Sequence, residues 1–228
     1  MIDITTWMPQ AVARLQKRFG HRLVFVGLQG SYRRGEAREE SDIDILTVLD
    51  TVDLEDLADY RSLLRALPEG EKACGFTCGR NELLVWPPFE LFQFSQDTDA
   101  YFGQLGPLLP PFTRDDTVTG ARAAVSGLHH FTTYLYISGD EADRADQLQG
   151  VYKSFFFAMQ VVEYLRSGTY ARTKKELLSL LAGDEAELLR LSMNAEYYET
   201  HKRKAPDALF ERMIAWTGGT MHALAGQR

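Results

Sequence analysis

Asp42 and Asp44 flank a single isoleucine at the head of the apolar run "DIDILTVL" (42–49). Side chains at i and i+2 of a strand point to one face, so both carboxylates would share it. Two carboxylates that close repel each other unless a cation lies between them. Mg²⁺ suits the place, because it takes hard oxygen ligands and shares its shell with substrate phosphates. Just upstream runs "GSYRRG" (30–35). Gly30 lets the backbone approach a ligand closely. Ser31, at or near a helix start, offers a hydroxyl and free N–H groups to an anionic phosphate, and Arg33, Arg34 or both can add charge there. A third carboxylate nearby would complete a two-metal arrangement or act as base on an attacking hydroxyl. Alone, an Asp-x-Asp pair is mostly a solvated strand end and a Gly-Ser turn is weaker still. Together, with an apolar strand on either side, they point to a phosphate and metal site.

The elements that must position these groups are legible around them. "LVFVGLQ" (23–29) reads as a buried strand, short, β-branched and aromatic-rich, and 42–49 as a second. Residues 5–19 carry Trp7, Ala11, Leu15 and Phe19 on one helical side. Residues 53–67 predict an amphipathic helix capped by Asp53 and stopped by Pro68 and Gly70. "CGFTCG" is a short strand candidate, "RNELLVW" is ambiguous between helical turn and strand, and "FELFQFS" (89–95) reads as a strand after Pro87-Pro88. Near 106 the character changes: "GPLLPPF" looks like a linker, and helices are expected at about 115–138, 141–167, 173–181, 184–197 and 206–225. An α/β half, 1–105, is thus followed by an all-helical half, 106–228.

Composition narrows the partners. The chain has 228 residues, 45% of them hydrophobic, with a net charge of −7, enough for one large or two small domains with a real core. An acidic chain without a basic or aromatic groove disfavours nucleic acid as partner and template-dependent polymerisation as activity. It suits solubility or a cationic small ligand. Cys74 and Cys78, the two cysteines, lack a second ligand pair for zinc and read as ordinary thiols of a reducing compartment. No signal peptide or membrane-length apolar run is evident, so the expected location is cytoplasmic, with no membrane partner.

The stretch "GSYRRGEAREESDIDI" resembles the signature of the DNA polymerase beta-like nucleotidyltransferase superfamily: a Gly-Ser turn, an Arg-Gly pair, then Ser-Asp-x-Asp on the next strand. The resemblance covers about the first hundred residues. It implies an α+β fold, with an α/β-type nucleotidyltransferase core on a small mixed sheet and an all-α helical bundle behind it. It also implies transfer of a nucleoside monophosphate from Mg²⁺-NTP, ATP first among them, to an acceptor, with two Mg²⁺ ions and release of pyrophosphate. Gly30 and Ser31 would then bind the triphosphate, Asp42 and Asp44 the metals, with Ser41 and Arg34 as helpers. No GxxxxGKS loop competes with this assignment.

The superfamily sets its third carboxylate on a later strand beside the first two. Glu90, at the head of "ELFQF", is the first candidate, and Glu82 in "NELLVW" the rival. The helical half resembles, more loosely, the bundles that follow this domain in aminoglycoside-type antibiotic nucleotidyltransferases, which implies a small-molecule acceptor. Lys153 would reach nucleotide phosphates, whereas Lys174 and Lys175 read equally well as helix-surface charges. Of His129-His130, one is expected to face inward, hydrogen-bonded, and "FFFAMQVV" is expected to be core. Trp86, Phe92 and Tyr101 could line an acceptor pocket but more often such aromatics pack. A homodimer is compatible with all of this. Two rival functions remain: a protein-modifying nucleotidyltransferase of a toxin–antitoxin or regulatory system, and a non-catalytic nucleotide-binding protein. A ribonuclease module is disfavoured, because no Arg-x-x-x-x-His motif occurs in the helical half.

Overall fold

The computed structural model describes residues 2–226. It divides into two compact units, one ending at Phe112 and the other starting at Thr113.

The first unit is a four-stranded sheet with helices on both faces. Its strands are β1 (Leu23–Leu28), β2 (Ile43–Leu49), β3 (Ala73–Gly79) and β4 (Asp99–Phe102), in the order β3-β2-β1-β4. β1 runs antiparallel to β2 and to β4, while β2 and β3 are parallel, with Asp44 opposite Cys74 and Leu46 opposite Phe76. A parallel pair needs a crossover, supplied by α3 (Leu54–Arg65). Asp53 starts that helix by accepting from the Asp56 N–H while the Asp56 carboxylate takes the Asp53 N–H, which satisfies two otherwise orphaned donors. On one sheet face Val26, Leu28, Ile43, Ile45 and Leu49 meet Trp7, Met8, Ala11, Leu15 and Phe19 of α1 (Ile4–Phe19). On the other face Phe25, Leu46, Val48 and Cys78 form a second cluster, with Leu83 of α4 (Arg80–Val85), Leu91 of α5 (Pro88–Asp97) and Leu108.

One expectation gives way here and one ambiguity is resolved. "FELFQFS" is no strand but the middle of α5, and the fourth strand is β4, which follows it. Phe92 and Phe94 mimic a period of two, yet Pro88 sits in the first turn, where its missing N–H costs nothing and its fixed φ suits a helix. "RNELLV", ambiguous in sequence, is the helix α4.

The second unit is all helical: α6 (Arg114–Ser138), α7 (Arg144–Ser167), α8 (Lys174–Leu180), α9 (Gly183–Met193), α10 (Ala195–Lys204) and α11 (Pro206–Ala225). α7 is its centre, with Tyr152, Phe155, Phe156 and Met159 fully buried. Two buried tyrosines, one on it and one on α10, are tied to backbone: Tyr152 Oη donates to the Leu209 carbonyl and Tyr198 Oη to that of Ala145. The helix expected at 184–197 is two helices, because the Asn194 side chain accepts from the Tyr197 N–H and caps α10. His129 does turn inward, its Nδ1 2.8 Å from Thr217 Oγ1, while His130 is exposed. Phe155 and Phe156 are core as expected, and Phe157 is 43% exposed.

Candidate active site

The Gly-Ser turn and Asp44 are folded onto each other. After β1 the chain enters the short helix α2 (Gly30–Arg34), and the Gln29 N–H donates to the Asp44 carbonyl at 2.8 Å. Gly30 has φ +69°, and a Cβ built on it would lie 1.7 Å from Asp44 Oδ2. The Asp44 carboxylate therefore fills the space that any side chain at position 30 would need, in a backbone conformation that glycine alone adopts cheaply. Ser31, half-exposed, follows directly, and its carbonyl takes the Glu36 N–H.

Asp42 is exposed and stands just before β2, whereas Asp44 is half-buried within it. The side chains at 42, 44, 46 and 48 alternate onto the face of Leu46 and Val48, so the carboxylates form the polar margin of the second apolar cluster. Burial pushes the Asp44 carboxyl above its ordinary value, with the charge of Asp42 adding to the effect. The Cys74 thiol, which reaches Asp44 Oδ1 at 3.5 Å, and the Arg34 guanidinium pull it back. Cys74 itself is pushed up to about 12, first by burial and then by Asp44, so the thiol stays protonated at neutral pH. Both cysteines are free thiols, as their spacing predicts.

Among the described residues no group of three or more His, Cys, Asp or Glu side chains is gathered for a metal. The two carboxylates nevertheless fit Mg²⁺, which is commonly held by one or two carboxylates together with water and substrate phosphate oxygens. An anion destabilised by burial and by a like neighbour is a group that such a cation would relieve.

The other expected residues fall in different places. Arg34 ion-pairs with Glu36 at 3.1 Å and lends its charge to Asp44. Ser41 shapes the approach to β2, its Oγ accepting from the Arg38 N–H. Glu90 lies in the first turn of α5 rather than at a strand tip, and Trp86 Nε1 donates to its Oε2 at 2.6 Å. Trp86 in turn packs edge-on against Phe76, at 4.9 Å between ring centres. Phe76 is the partner of Leu46 and belongs to the same apolar cluster, so Glu90 is carried on the sheet face that bears Asp42 and Asp44. Glu82 is held elsewhere. Its Oε2 lies against Gly79, the partner of Leu49 at the end of β2, five residues beyond Asp44 and so about 16 Å on at ~3.3 Å per residue. Lys153 is exposed on α7 in the second unit. Phe92 packs edge-on to Phe112 and Trp86 on Phe76, which makes both packing residues, while Tyr101 is exposed on β4.

Sequence reasoning missed Cys74 as the neighbour of Asp44, because a parallel register between β2 and β3 has no local signature. Arg33, expected to offer charge to phosphate, is instead buried in ion pairs with Asp97 and Asp99.

Residues 8–78, which run from α1 through both aspartates to β3, match the nucleotidyltransferase domain family. This part of the chain is a nucleotidyltransferase domain. The nucleotidyltransferase domain and the helices behind it together resemble the crystal structure of spectinomycin adenyltransferase AAD(9) from Enterococcus faecialis, solved with ATP and spectinomycin. That likeness has a TM-score of 0.61 at 11% identity and covers 96% of this chain and 99% of the other. At such identity it establishes the fold: a mixed-sheet core followed by a helical region. Among curated proteins none matches the sequence at a significant level. No helix among the described residues is long and apolar enough to cross a membrane.

Proposed function

We propose that the chain transfers AMP from Mg²⁺-ATP to a hydroxyl of a small, antibiotic-like acceptor of the aminoglycoside kind. The observation that carries this reading is the interlock of Gly30 with the Asp44 carboxylate, which sets the turn proposed to hold phosphate directly against one carboxylate of the pair proposed to hold metal. Neither half would need the other in a merely structural loop. The likeness to an adenyltransferase solved with ATP and spectinomycin supports the choice of nucleotide and acceptor class.

On this reading Gly30 and Ser31 hold the triphosphate, with Arg34 adding positive charge, and Asp42 and Asp44 are the protein ligands of two Mg²⁺ ions. Bound there, the metal would neutralise charge on the transferring phosphoryl group. Glu90 takes the proton of the acceptor hydroxyl, whose oxygen attacks the α-phosphorus in line. The bond between the α-phosphorus and its bridging oxygen breaks, and pyrophosphate leaves. The hydrogen bond from Trp86 holds the Glu90 carboxylate in one orientation.

Two measurements test the assignment. Incubation with ATP labelled at the α-phosphate and a panel of aminoglycosides, spectinomycin and cell-extract proteins should place label on a small molecule; label on a protein instead would overturn the acceptor class. Glu90→Gln should lower kcat at least 100-fold, a typical loss for a general base, while ATP binding by calorimetry is kept. Glu82→Gln should leave both unchanged, and the opposite pattern would move the base to Glu82.

A further inference from the structure

We propose that Arg33 is a positioning residue, holding the nucleotide turn in register with the helix that carries Glu90. The inference rests on the nucleotidyl-transfer reading of the site.

Arg33 follows Gly30-Ser31 within the same short helix, where a free guanidinium would be a natural phosphate ligand. Its side chain is only 3% exposed, and all three guanidinium nitrogens are used. Nε donates to Asp99 Oδ1 at 3.2 Å, Nη1 to Asp97 Oδ1 at 2.9 Å and Nη2 to the Gln96 carbonyl at 3.0 Å. These partners lie within four residues of the chain: Gln96 and Asp97 close α5, and Asp99 opens β4. The residue skipped is taken by the other flank of the turn, since Gln29 Nε2 donates to Thr98 Oγ1 at 2.8 Å. Gln29 is also the residue whose backbone N–H binds the Asp44 carbonyl. Both ends of the Gly30-Ser31 turn are thus fastened to residues 96–99, and one end to Asp44 as well.

The consequence is geometric. α5 is a single stretch of helix from Pro88 to Asp97, so Glu90 near its start and the Arg33 anchor at its end move as one body. A planar fork with three partners fixes direction as well as distance, which a lysine ammonium cannot reproduce. Small displacements matter at such a site, since a misplacement of about 1 Å can cost on the order of 100-fold in rate. Burial of a charge with good partners is a poor way to gain stability alone, and here it is spent beside the turn that takes the nucleotide.

The test compares wild type, Arg33→Lys, Arg33→Ala and the milder Asp99→Asn in the full chain. Arg33→Lys should lower kcat/KM for Mg²⁺-ATP about 10- to 100-fold, through kcat as well as KM for the nucleotide, with KM for the acceptor unchanged. Asp99→Asn, which keeps the two bonds to Gln96 and Asp97, should show a smaller loss of the same kind. Low millimolar guanidinium should restore part of the ATP affinity of Arg33→Ala, and amides 29–36 should exchange faster in both Arg33 variants than in wild type. Should Arg33→Ala fail to fold, Arg33→Lys and Asp99→Asn carry the comparison. Lower melting temperature with unchanged ATP affinity and unchanged exchange at 29–36 would overturn the inference and leave the transfer reading intact. Failure of the wild type to bind any NTP would overturn the transfer reading, and Arg33's role in positioning nucleotide with it.

Discussion

Gly30 and Asp44 are the pair on which most depends. With φ +69° and the Asp44 carboxylate in its Cβ space, Gly30→Ala must both strain the backbone and push the carboxylate aside. We expect a loss of about 1–3 kcal/mol in stability, read by denaturant unfolding, together with loss of Mg²⁺-ATP binding. Asp44→Asn should separate the two effects. It removes a half-buried anion whose ionised form is disfavoured by burial and by Asp42, so transfer should be abolished while the metal-free protein melts no lower than wild type at neutral pH. A raised carboxyl pKa penalises the native state above it, so the asparagine's relative advantage should fade as pH falls through the carboxylate range, where wild type is protonated too. A lower melting temperature at neutral pH would mean that Asp44 is structural first.

Elements rather than single residues decide whether the site is assembled. α5 brings Glu90, Phe94 and the Arg33 anchor to one sheet face because it is a helix. The alternation of Phe92 and Phe94 concealed this, and Pro88 in its first turn was the signal available. In the second unit, Glu185 of α9 joins three helices by accepting both Arg166 Nη donors from α7 and the Trp216 Nε1–H from α11. Burial alone would raise the Glu185 carboxyl, but the Arg166 fork and Trp216 outweigh it and hold it below its ordinary value. Stability from such a group is present above the unfolded pKa and lost as pH falls through the lower folded value. Glu185→Gln should therefore cost about 1–2 kcal/mol at neutral pH, a gap that narrows in acid and, because Arg166 is partly exposed, in high salt.

At the scale of the molecule, a ligand that binds only the folded chain must raise its melting temperature by mass action. Mg²⁺-ATP at one hundred times its Kd should add about 2.7 kcal/mol, seen as an upward shift in a thermal melt that Asp42→Asn and Asp44→Asn abolish. No shift with any of the four NTPs would overturn the transfer reading and the nucleotide-binding one alike. The kind of chemistry was legible in the chain itself, since a Gly-Ser turn and an Asp-x-Asp pair lie within fifteen residues, "GSYRRGEAREESDID", and strand alternation alone puts both carboxylates on one face. The strands at 23–28 and 43–49 and the amphipathic helices were equally visible, because hydrophobic period is a local property. What only the tertiary structure decided are the long-range pairings: Asp44 opposite Cys74, Arg33 into residues 96–99, Glu90 onto Trp86, and Glu82 at the far end of the sheet. These depend on strand order and register, and a parallel β2–β3 pair with a helical crossover leaves no mark in the spacing of the residues it brings together.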